Sequence, residues 1–294
     1  MSRAQPVFRC ITLIGVGLIG GSLGLAIKRK FPSITILGVD TPAVLGRARK
    51  RGAIDQAARI SKATVQQSDL IVLCTPVSVI LRMLPQVARY CLDSTIVTDV
   101  GSVKSAVTKL GARLFPGGNF VGGHPMAGPE HSGIDAAQPG LFERGVWVLT
   151  PVPGMNAWGW RKLRAFLQKL GARVKTLDAR THDEVVSVLS HVPQLISVAL
   201  LNVVGKKHAK GRKHLNLAGG GFHDMTRIAS SGFHIWSDIL SENKREIRKS
   251  LELLIEEFRA YAKKLDAGDL ERYFKYSGSL SKSIRRATNR GGKL

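Results

Sequence analysis

The sequence predicts an α/β fold in which a doubly wound, mostly parallel sheet with helices on both faces is followed by an all-helical segment. Two observations lead to this prediction. From Val7 to about Asp178, short apolar runs alternate with stretches of helical periodicity. From Thr181 to the end of the 294-residue chain, no run is typical of a strand. We therefore expect two domains, residues 1–179 and 180–294, each long enough to bury its own core.

The first forty residues contain the parts of a nucleotide-binding unit. An apolar run at 7–14 is typical of a buried strand, a helical pattern covers 18–30, and a second strand at 34–39 is followed by Asp40. The turn between the first strand and the helix carries the sequence G-x-G-x-x-G. At this place in a strand–helix–strand unit, that sequence indicates a Rossmann-like dinucleotide-binding domain. A tight turn without a ligand is the alternative.

Each residue of this turn has a physical reason. Gly15 permits the tight turn, Gly17 lets the backbone approach a pyrophosphate, and Gly20 lets helix and strand pack closely. Leu18 and Ile19 begin the helix, where free backbone N–H groups and the positive end of the helix dipole attract phosphates. We therefore predict that these five residues hold the phosphates of a dinucleotide.

Asp40 predicts which dinucleotide binds. It follows Gly20 by 20 residues, where an acid accepts hydrogen bonds from the ribose hydroxyls and repels the 2′-phosphate of NADP. NAD is therefore the predicted cofactor. Thr75 and Pro76, which end a predicted strand at 70–74, lie at the same edge of the sheet and are further candidates for cofactor contact.

The chain is strongly basic. Its 44 Lys and Arg residues against 21 Asp and Glu residues give a formal net charge of +23. Nucleic-acid binding driven by counterion release is one explanation. However, the basic residues are scattered, aromatic residues are sparse among them, and no nucleic-acid motif is present. A basic surface around a site for an anionic small molecule is a second explanation, and we favour a solvated basic surface without a specific partner.

The sequence carries no targeting pattern at its N-terminus and no apolar run of membrane-spanning length. The longest apolar tract, about 195–204, is too short to cross a bilayer. Cys10, Cys74 and Cys91 lack the spacing of metal ligands and are typical of buried thiols in a reducing compartment. We therefore expect a cytoplasmic protein without a metal site.

Three predicted strand ends carry polar or glycine-rich sequence. They are Thr75-Pro76, the segment Asp99–Lys104, and the segment Gly122–Glu130. The last surrounds His124 with glycines, which allow a ligand to approach, and histidine exchanges a proton near neutral pH. His124 is therefore a candidate catalytic residue, and a loop histidine that only contacts backbone is the alternative.

The helical part offers two further clusters. Ser187 and His191 lie four residues apart and so share a helix face, although a histidine buried only for structural reasons fits this pattern as well. The segment Gly219–Ser231 leads from three glycines into a helical turn with Arg227, whose guanidinium suits a carboxylate. A flexible hinge with a solvated arginine is the alternative.

With these segments in view, the sequence resembles the prephenate and arogenate dehydrogenases of tyrosine biosynthesis. HPMAG and the glycine-rich TRIA segment are the most specific matches. The resemblance implies a Rossmann-like domain, a helical domain that dimerises, and a site in the cleft between them. The matching motifs cover about residues 8–240, in the family's order, and read GVGLIGGSLG, CTP, DVGSVK, GGHPMAGPEHSG, LFERGVWVLTP, HD at His182-Asp183, SHVPQ and GGGFHDMTRIASS.

The resemblance also implies roles for individual residues. The histidine that matches His124 holds and polarises the 4-hydroxyl of the substrate, and the serine that matches Ser102 orients that histidine. The arginine that matches Arg227 binds the ring carboxylate. His191 and Ser187 match residues that line the substrate pocket.

Other positions match an acid or depart from the family pattern. Glu130 matches an acid near the same pocket. His223 stands where Arg or Lys is usual, so we expect it to contact the side-chain carboxylate of the substrate only as a pH-dependent cation. Pro129 replaces a frequent Ser or Thr, and Gln194 replaces a frequent His. These departures bear on substrate choice more than on reaction type.

The predicted function is NAD-dependent oxidative decarboxylation of prephenate to 4-hydroxyphenylpyruvate by a cytoplasmic homodimer. Arogenate is the nearest alternative substrate, and an acidic partner for its ammonium group would distinguish it. A β-hydroxyacid dehydrogenase would need a catalytic lysine in the helical part, where Lys206, Lys207 and Lys210 form a basic cluster instead. An NAD-sensing nucleic-acid-binding protein is a remoter alternative that depends on the charge alone.

Overall fold

The computed structural model describes residues 7–127, 132–207 and 214–290. In these residues eight strands form one sheet, and every neighbouring pair is parallel except the sixth and seventh strands. The strands are β1 (Cys10–Ile14), β2 (Thr35–Val39), β3 (Gln56–Ala57), β4 (Leu70–Leu73), β5 (Ile96–Asp99), β6 (Phe120–Pro125), β7 (Val146–Pro151) and β8 (Arg173–Thr176).

Helices cover both faces of this sheet. Leu70 and Val72 of β4 belong to one apolar cluster, whereas Ile71 and Leu73 belong to a second. Because successive side chains of a strand point to opposite faces, the sheet is buried on both sides, which confirms the predicted doubly wound α/β class. The helices between the strands are α1 (Leu18–Lys30), α2 (Pro42–Lys50), α3 (Lys62–Gln66), α4 (Val77–Ala88), α5 (Ser105–Leu114) and α6 (Ala157–Lys169).

The strand order places a crevice at one edge of the sheet. The order β3-β2-β1-β4-β5-β6-β7-β8 runs outward in both directions from the β1–β4 pair. In open α/β sheets, ligands bind outside the carboxyl ends of the strands at such a switch point. The ends of β1, β4 and β5 bring Gly15, Thr75 and Asp99 to this edge.

After β8, every regular element in the described residues is a helix. A single π turn, Ser187–His191, joins two of its helices into one continuous helix. Such turns are frequent at functional sites. The helices are α7 (Ala179–Val186), α8 (Val192–Lys207), α9 (Gly220–Thr226), α10 (Phe233–Glu242), α11 (Lys244–Ala267) and α12 (Glu271–Arg290).

The chain forms two compact units that divide between Lys244 and Arg245, inside α11. The predicted boundary near residue 179 does not coincide with this division. The reason is that the helices from α7 to α10 pack with the sheet: Asp183 of α7, for example, accepts hydrogen bonds from the backbone of Lys104 and Ser105. A separate helical domain from residue 180 stays a prediction.

The continuous helix Ala179–Lys207 corrects one expectation from the sequence. Its 29 residues have a window of mean hydropathy 1.6, so length and composition alone would suffice to cross a membrane. In this structure the helix carries buried polar side chains, among them His182, Asp183 and His191, that hydrogen-bond within the protein. We therefore interpret it as a structural helix of the sheet-containing unit.

Candidate active site

The glycine turn after β1 has the geometry that the sequence predicts. Gly15 adopts φ = +90°, a conformation that favours glycine. A Cβ on Gly20 would lie 2.0 Å from the carbonyl oxygen of Gly15, so helix and turn pack too closely for any side chain. A Cβ on Gly17, in contrast, would meet nothing within 4 Å. The space over the Gly17 backbone is therefore open, and α1 begins there without a side-chain cap.

Asp40 lies directly beside this turn. One of its carboxylate oxygens accepts a hydrogen bond of 2.8 Å from the N–H of Val16, and the other accepts one of 2.7 Å from the N–H of Thr41. A carboxylate has about four acceptor positions, so Asp40 keeps capacity for ribose hydroxyls. At the end of β4, the Thr75 hydroxyl is buried and has no hydrogen-bond partner among the described residues. The open turn, Asp40 and Thr75 together fit a dinucleotide.

A cavity of about 720 Å³ lies near the carboxyl ends of the parallel strands β5 and β6. It brings together four residues that the sequence predicts to act in catalysis or substrate binding, namely Ser102, His124, His191 and Arg227. Its remaining lining is mostly apolar and includes residues of α10, which the sequence did not predict as a helix. These other residues are Pro125, Met126, Ala127, Leu189, Ser190, Pro193, Gln194, Ile228, Ser231, Ile235, Trp236 and Ile239.

His124 is oriented by another histidine. Its Nδ1 lies 2.8 Å from Nε2 of His182, and Nδ1 of His182 lies 2.8 Å from a carboxylate oxygen of Asp183. His182 is fully buried, and its ring packs edge-on against that of His124. Ser102 lines the same cavity, but the hydrogen-bond partner of the His124 ring is His182. The sequence contained His182-Asp183 only as a motif without a role.

A buried ion pair holds the peptide that precedes His124. The ammonium of Lys104 contacts the Asp99 carboxylate and donates a hydrogen bond of 2.8 Å to the carbonyl oxygen of Gly123. Asp99 accepts hydrogen bonds from the N–H groups of Gly123, at 3.1 Å, and Gly101, at 2.8 Å. Both charged side chains are fully buried. The N–H and C=O of Gly123 are thus both fixed, which restricts where the His124 ring can lie.

Both cavity histidines are held in the neutral form. Burial lowers the pKa of His124 well below its usual value, and the neighbouring His182, Lys104 and His191 lower it further. Burial also lowers the pKa of His191 from 6.5 to about 4, although Asp183 opposes this shift. At neutral pH, His124 therefore has a lone pair available to accept a proton.

These pKa shifts predict a loss of stability in mild acid. As pH falls below about 6.5, the unfolded chain binds a proton at His191 before the folded protein does, and this continues to about pH 4. The free energy of unfolding should therefore fall across this window by about 1.4 kcal/mol per pH unit for one such group. The stability that neutral His191 contributes should be fully present above pH 6.5. Urea unfolding of wild type and of His191→Gln measures it. An equal slope in both proteins would contradict the assignment.

Two residues that the sequence predicts to bind substrate, Ser187 and His223, do not line the cavity. The Ser187 hydroxyl donates to the carbonyl oxygen of Glu184, 2.7 Å away, and Ser187 does not line the cavity. His223 lies exposed on α9, outside the lining, and its contact with substrate stays a prediction. Glu130, like Pro129, lies outside the described residues.

Sequence reasoning missed two residues of the site, His182 and Trp236. Trp236 lines the cavity, and its ring lies edge-on to that of His191, with 6.1 Å between centroids. The run Phe233–Ile239 has the apolar spacing of an amphipathic helix, so its sequence contained a signal for α10. Nothing in the sequence indicates which face of that helix meets a cavity.

An open glycine turn, an acid at the end of β2, and a cavity with a neutral histidine together define a nucleotide-dependent dehydrogenase of the Rossmann type. Two family models match the chain. They are described as prephenate dehydrogenase, nucleotide-binding domain, over residues 23–176, and prephenate dehydrogenase, dimerization domain, over residues 178–278. The chain belongs to the prephenate dehydrogenase family.

Similar proteins agree with this assignment. A prephenate dehydrogenase of Lactococcus lactis is 38% identical over 262 residues, which are 87% of this chain and 69% of that protein. A prephenate dehydrogenase of A. aeolicus, solved with hydroxyphenyl propionate and NAD+, superimposes with a TM-score of 0.86 at 27% identity and covers 97% of this chain and 100% of its own. A Synechocystis arogenate dehydrogenase superimposes with a TM-score of 0.74 at 29% identity, and the match covers 97% of this chain and 100% of that chain.

Proposed function

We propose that this enzyme oxidises prephenate with NAD and releases CO₂, which yields 4-hydroxyphenylpyruvate. The main support for the proposal is that neutral His124 and the guanidinium of Arg227 line the same cavity. Prephenate is a cyclohexadienol with a hydroxyl at C4 and a carboxylate on the ring at C1. A proton acceptor and a cation are the two groups that such a molecule requires. Spectrophotometric detection of NADH with prephenate tests the proposal, and absence of turnover would refute it.

His124 is the group that we assign to the hydroxyl proton. NAD, when bound at the glycine turn, supplies the acceptor for the hydride that leaves C4. His124 takes the proton from the C4 oxygen as that carbon becomes a carbonyl. The bond from C1 to the carboxylate then breaks, its electron pair makes the ring aromatic, and CO₂ departs. The phenolate oxygen recovers the proton from His124, so the ring ends as a phenol and atoms and charge balance.

The other polar groups of the cavity position the substrate. Arg227 binds the ring carboxylate through charge-assisted hydrogen bonds, and His191 and Gln194 supply further polar contacts in the same lining. Orientation of this kind can provide a large part of the rate enhancement, because the reacting atoms are held at short distance before reaction. Ile228 and Trp236 provide apolar surface against which the ring can pack.

Similar proteins and the described lining favour prephenate over arogenate. Arogenate carries an ammonium group in place of the keto oxygen, and a buried ammonium needs an acidic partner. The lining found in the described part of the chain contains no Asp or Glu, and Glu130, the acid that the resemblance places near this pocket, lies outside the described residues. We expect a higher kcat/KM with prephenate when both substrates are assayed, because the relatives of 38% and 37% identity are prephenate dehydrogenases. A higher value with arogenate would overturn this part of the proposal.

Arg227→Ala should mainly weaken substrate binding. A charge-assisted hydrogen bond contributes on the order of 1.5–3 kcal/mol, which corresponds to roughly a 10- to 150-fold increase in KM. The affinity for NAD should change little, because Arg227 lies in the cavity rather than at the glycine turn. Steady-state kinetics and a direct NAD titration measure the two effects.

Arg180→Ala is the matched control for this variant. Arg180 lies on α7 with its side chain 83% exposed, and it does not line the cavity. It removes one positive charge from the same unit without touching the proposed site. An equal rise in KM in both variants would show that overall charge, rather than a local contact of Arg227, attracts the substrate.

Asp40→Ser should shift the cofactor preference from NAD toward NADP. The carboxylate beside the glycine turn pairs with ribose hydroxyls and repels a 2′-phosphate. Wild type should show the higher kcat/KM with NAD, and the variant should show a lower NAD to NADP ratio of that quantity. The kinetics of both proteins with both cofactors measure this. Equal or better efficiency of the wild type with NADP would contradict the role of Asp40.

The proposed enzyme is a cytoplasmic homodimer. The family model over residues 178–278 is that of a dimerization domain. Within the first compact unit, the long helix exposes apolar side chains that a second copy would cover, which are Val185, Val188, Leu189, Val198, Leu201 and Val203. We expect some of these side chains to contribute to the dimer interface, because large exposed apolar patches mark such interfaces. Sedimentation equilibrium tests the assembly, and a monomer at micromolar concentration would refute it.

A further inference from the structure

The two cavity histidines are connected through one residue, Asp183. Its carboxylate contacts His182, which contacts His124, and its backbone carbonyl contacts Asn243, which contacts His191. We infer that this buried network holds the two histidines in opposite tautomers, so that His124 accepts and His191 donates a hydrogen bond in the cavity. The inference deepens the proposed function, on which its catalytic meaning rests.

The first arm of the network determines the proton on His124. The Asp183 carboxylate accepts hydrogen bonds from the N–H groups of Lys104, at 2.7 Å, and Ser105, at 2.8 Å. A carboxylate only accepts hydrogen bonds, so Nδ1 of His182 carries the proton that lies between them. In neutral His182, Nε2 is then an acceptor, and Nδ1 of His124 must donate to it. The proton of neutral His124 is thus on Nδ1.

This leaves Nε2 of His124 as a lone pair. No other described residue is hydrogen-bonded to this nitrogen. His124 lines the cavity, so the lone pair is the group that can take a proton from a hydroxyl. Burial lowers the pKa of the histidine and keeps it neutral. For Asp183, burial opposes ionisation, but hydrogen bonds from His182, Ser105 and the Lys104 backbone lower its pKa below the usual value, which keeps the carboxylate charged.

The second arm determines the proton on His191. The side-chain amide nitrogen of Asn243 donates to the backbone carbonyl of Asp183, at 2.9 Å, and lies 3.2 Å from Nδ1 of His191. The NH₂ group of Asn243 must face the carbonyl oxygen of Asp183, because in the flipped orientation the amide oxygen of Asn243 would lie against that carbonyl oxygen. Nδ1 of His191 therefore accepts, and the proton of neutral His191 is on Nε2. Asn243 and His191 are both buried.

The result is a matched donor and acceptor in one cavity. The acceptor, His124, suits the hydroxyl that loses its proton, and the donor, His191, suits a carboxylate or keto oxygen. A substrate turned end to end would place oxygen lone pairs against the lone pair of His124. The network thus adds orientation to base catalysis. His182, Asp183 and Asn243 are positioning residues, since they act through the two cavity histidines.

Histidine tautomers can be measured without any substrate. Two-bond ¹H–¹⁵N spectra of the full chain labelled at histidine distinguish a protonated from an unprotonated ring nitrogen, and His124→Asn and His191→Asn assign the signals. We expect the proton of His124 on Nδ1 and that of His191 on Nε2. The opposite tautomer at either residue, or a doubly protonated His182 at neutral pH, overturns the inference. Because prephenate turnover is assayed separately, failure of the proposed function is recognised independently.

Asp183→Asn should retain the tautomers of the first arm. The N–H of Lys104 and Nδ1 of His182 both donate to the same oxygen of Asp183, so the amide oxygen of Asn should take that place and its NH₂ should face the N–H of Ser105. The variant should therefore be less stable, but the His124 proton should stay on Nδ1 and kcat should stay within about tenfold of wild type. A His124 proton on Nε2 in the folded variant would overturn the inference.

Two substitutions of His182 test the same arm where Asp183→Asn does not fold. In His182→Gln, the side-chain oxygen can still accept from Nδ1 of His124, so the tautomer and most of the activity should be retained, with kcat within about tenfold of wild type. His182→Met has a similar volume but offers no such acceptor, so kcat should fall by roughly 100-fold. A purely structural role would lower urea resistance in both variants without separating their kcat, and an equal kcat in the two would overturn the inference.

Discussion

Replacing His124 with Asn is expected to lower kcat by roughly 100- to 10,000-fold, the range for loss of a general base. The affinity for NAD should change little, because His124 lies on β6 in the cavity and not at the glycine turn. Asn keeps a polar side chain of smaller size, so it removes the proton acceptor without adding bulk. Turnover of prephenate at neutral pH and a direct titration with NAD measure the two quantities.

His214→Asn is the matched control for this substitution. His214 is exposed, follows α8 in the chain and does not line the cavity. The same chemical change at this position should leave kcat and the NAD affinity unchanged. If His124→Asn retains a kcat near that of wild type at neutral pH, then His124 does not take the hydroxyl proton.

Local sequence patterns were sufficient to predict α1 and β4. The helix predicted over 18–30 is α1, with the same bounds, because its apolar spacing and its start after Gly17 are both local signals. The strand predicted over 70–74 is β4, which ends at Leu73. Such boundaries depend on residues within a few positions of one another, so a single sequence contains them.

The helix α10, which was not predicted, depends on contacts with distant parts of the chain. The helix α10 begins after Gly232 without a side-chain cap, so its start has only a weak sequence signal. Its Asp238 accepts a hydrogen bond of 2.8 Å from the N–H of Ser78 in the first turn of α4, 160 residues away in sequence. That contact exists only once the sheet has formed. Propensity is a weak guide where tertiary packing provides most of the stabilisation.

The same distinction separates the predicted from the unpredicted parts of the site. His124, His191 and Arg227 lie in segments whose glycines, apolar neighbours or family motifs single them out. The bond between His124 and His182, in contrast, joins residues 58 positions apart. Ser187 shares a helix face with His191, as expected, but its hydroxyl donates to the carbonyl of its own helix at Glu184. Helical spacing predicts a shared face and does not predict where a rotamer directs the hydroxyl.

Lys104→Met is expected to destabilise the protein by about 3–5 kcal/mol, the usual effect of removing one member of a buried ion pair. Lys104 and Asp99 are both fully buried, and Met has a similar length, so packing changes little. The Asp99 carboxylate would keep hydrogen bonds from the N–H groups of Gly101 and Gly123 but would lose its counter-charge. The carbonyl of Gly123 would also lose its donor. Urea unfolding measures the change.

Two further proteins separate the ion pair from other causes. Lys109 is exposed on the same helix, α5, so Lys109→Met makes the same chemical change and should shift the free energy of unfolding by at most about 0.5 kcal/mol. The double variant Asp99→Asn/Lys104→Met leaves no unpaired buried charge and should recover part of the lost stability. Because the pair also fixes the peptide before His124, kcat should remain low even where stability recovers. Equal stability of the two single lysine variants would show that the buried charge of Asp99 is tolerated without its partner.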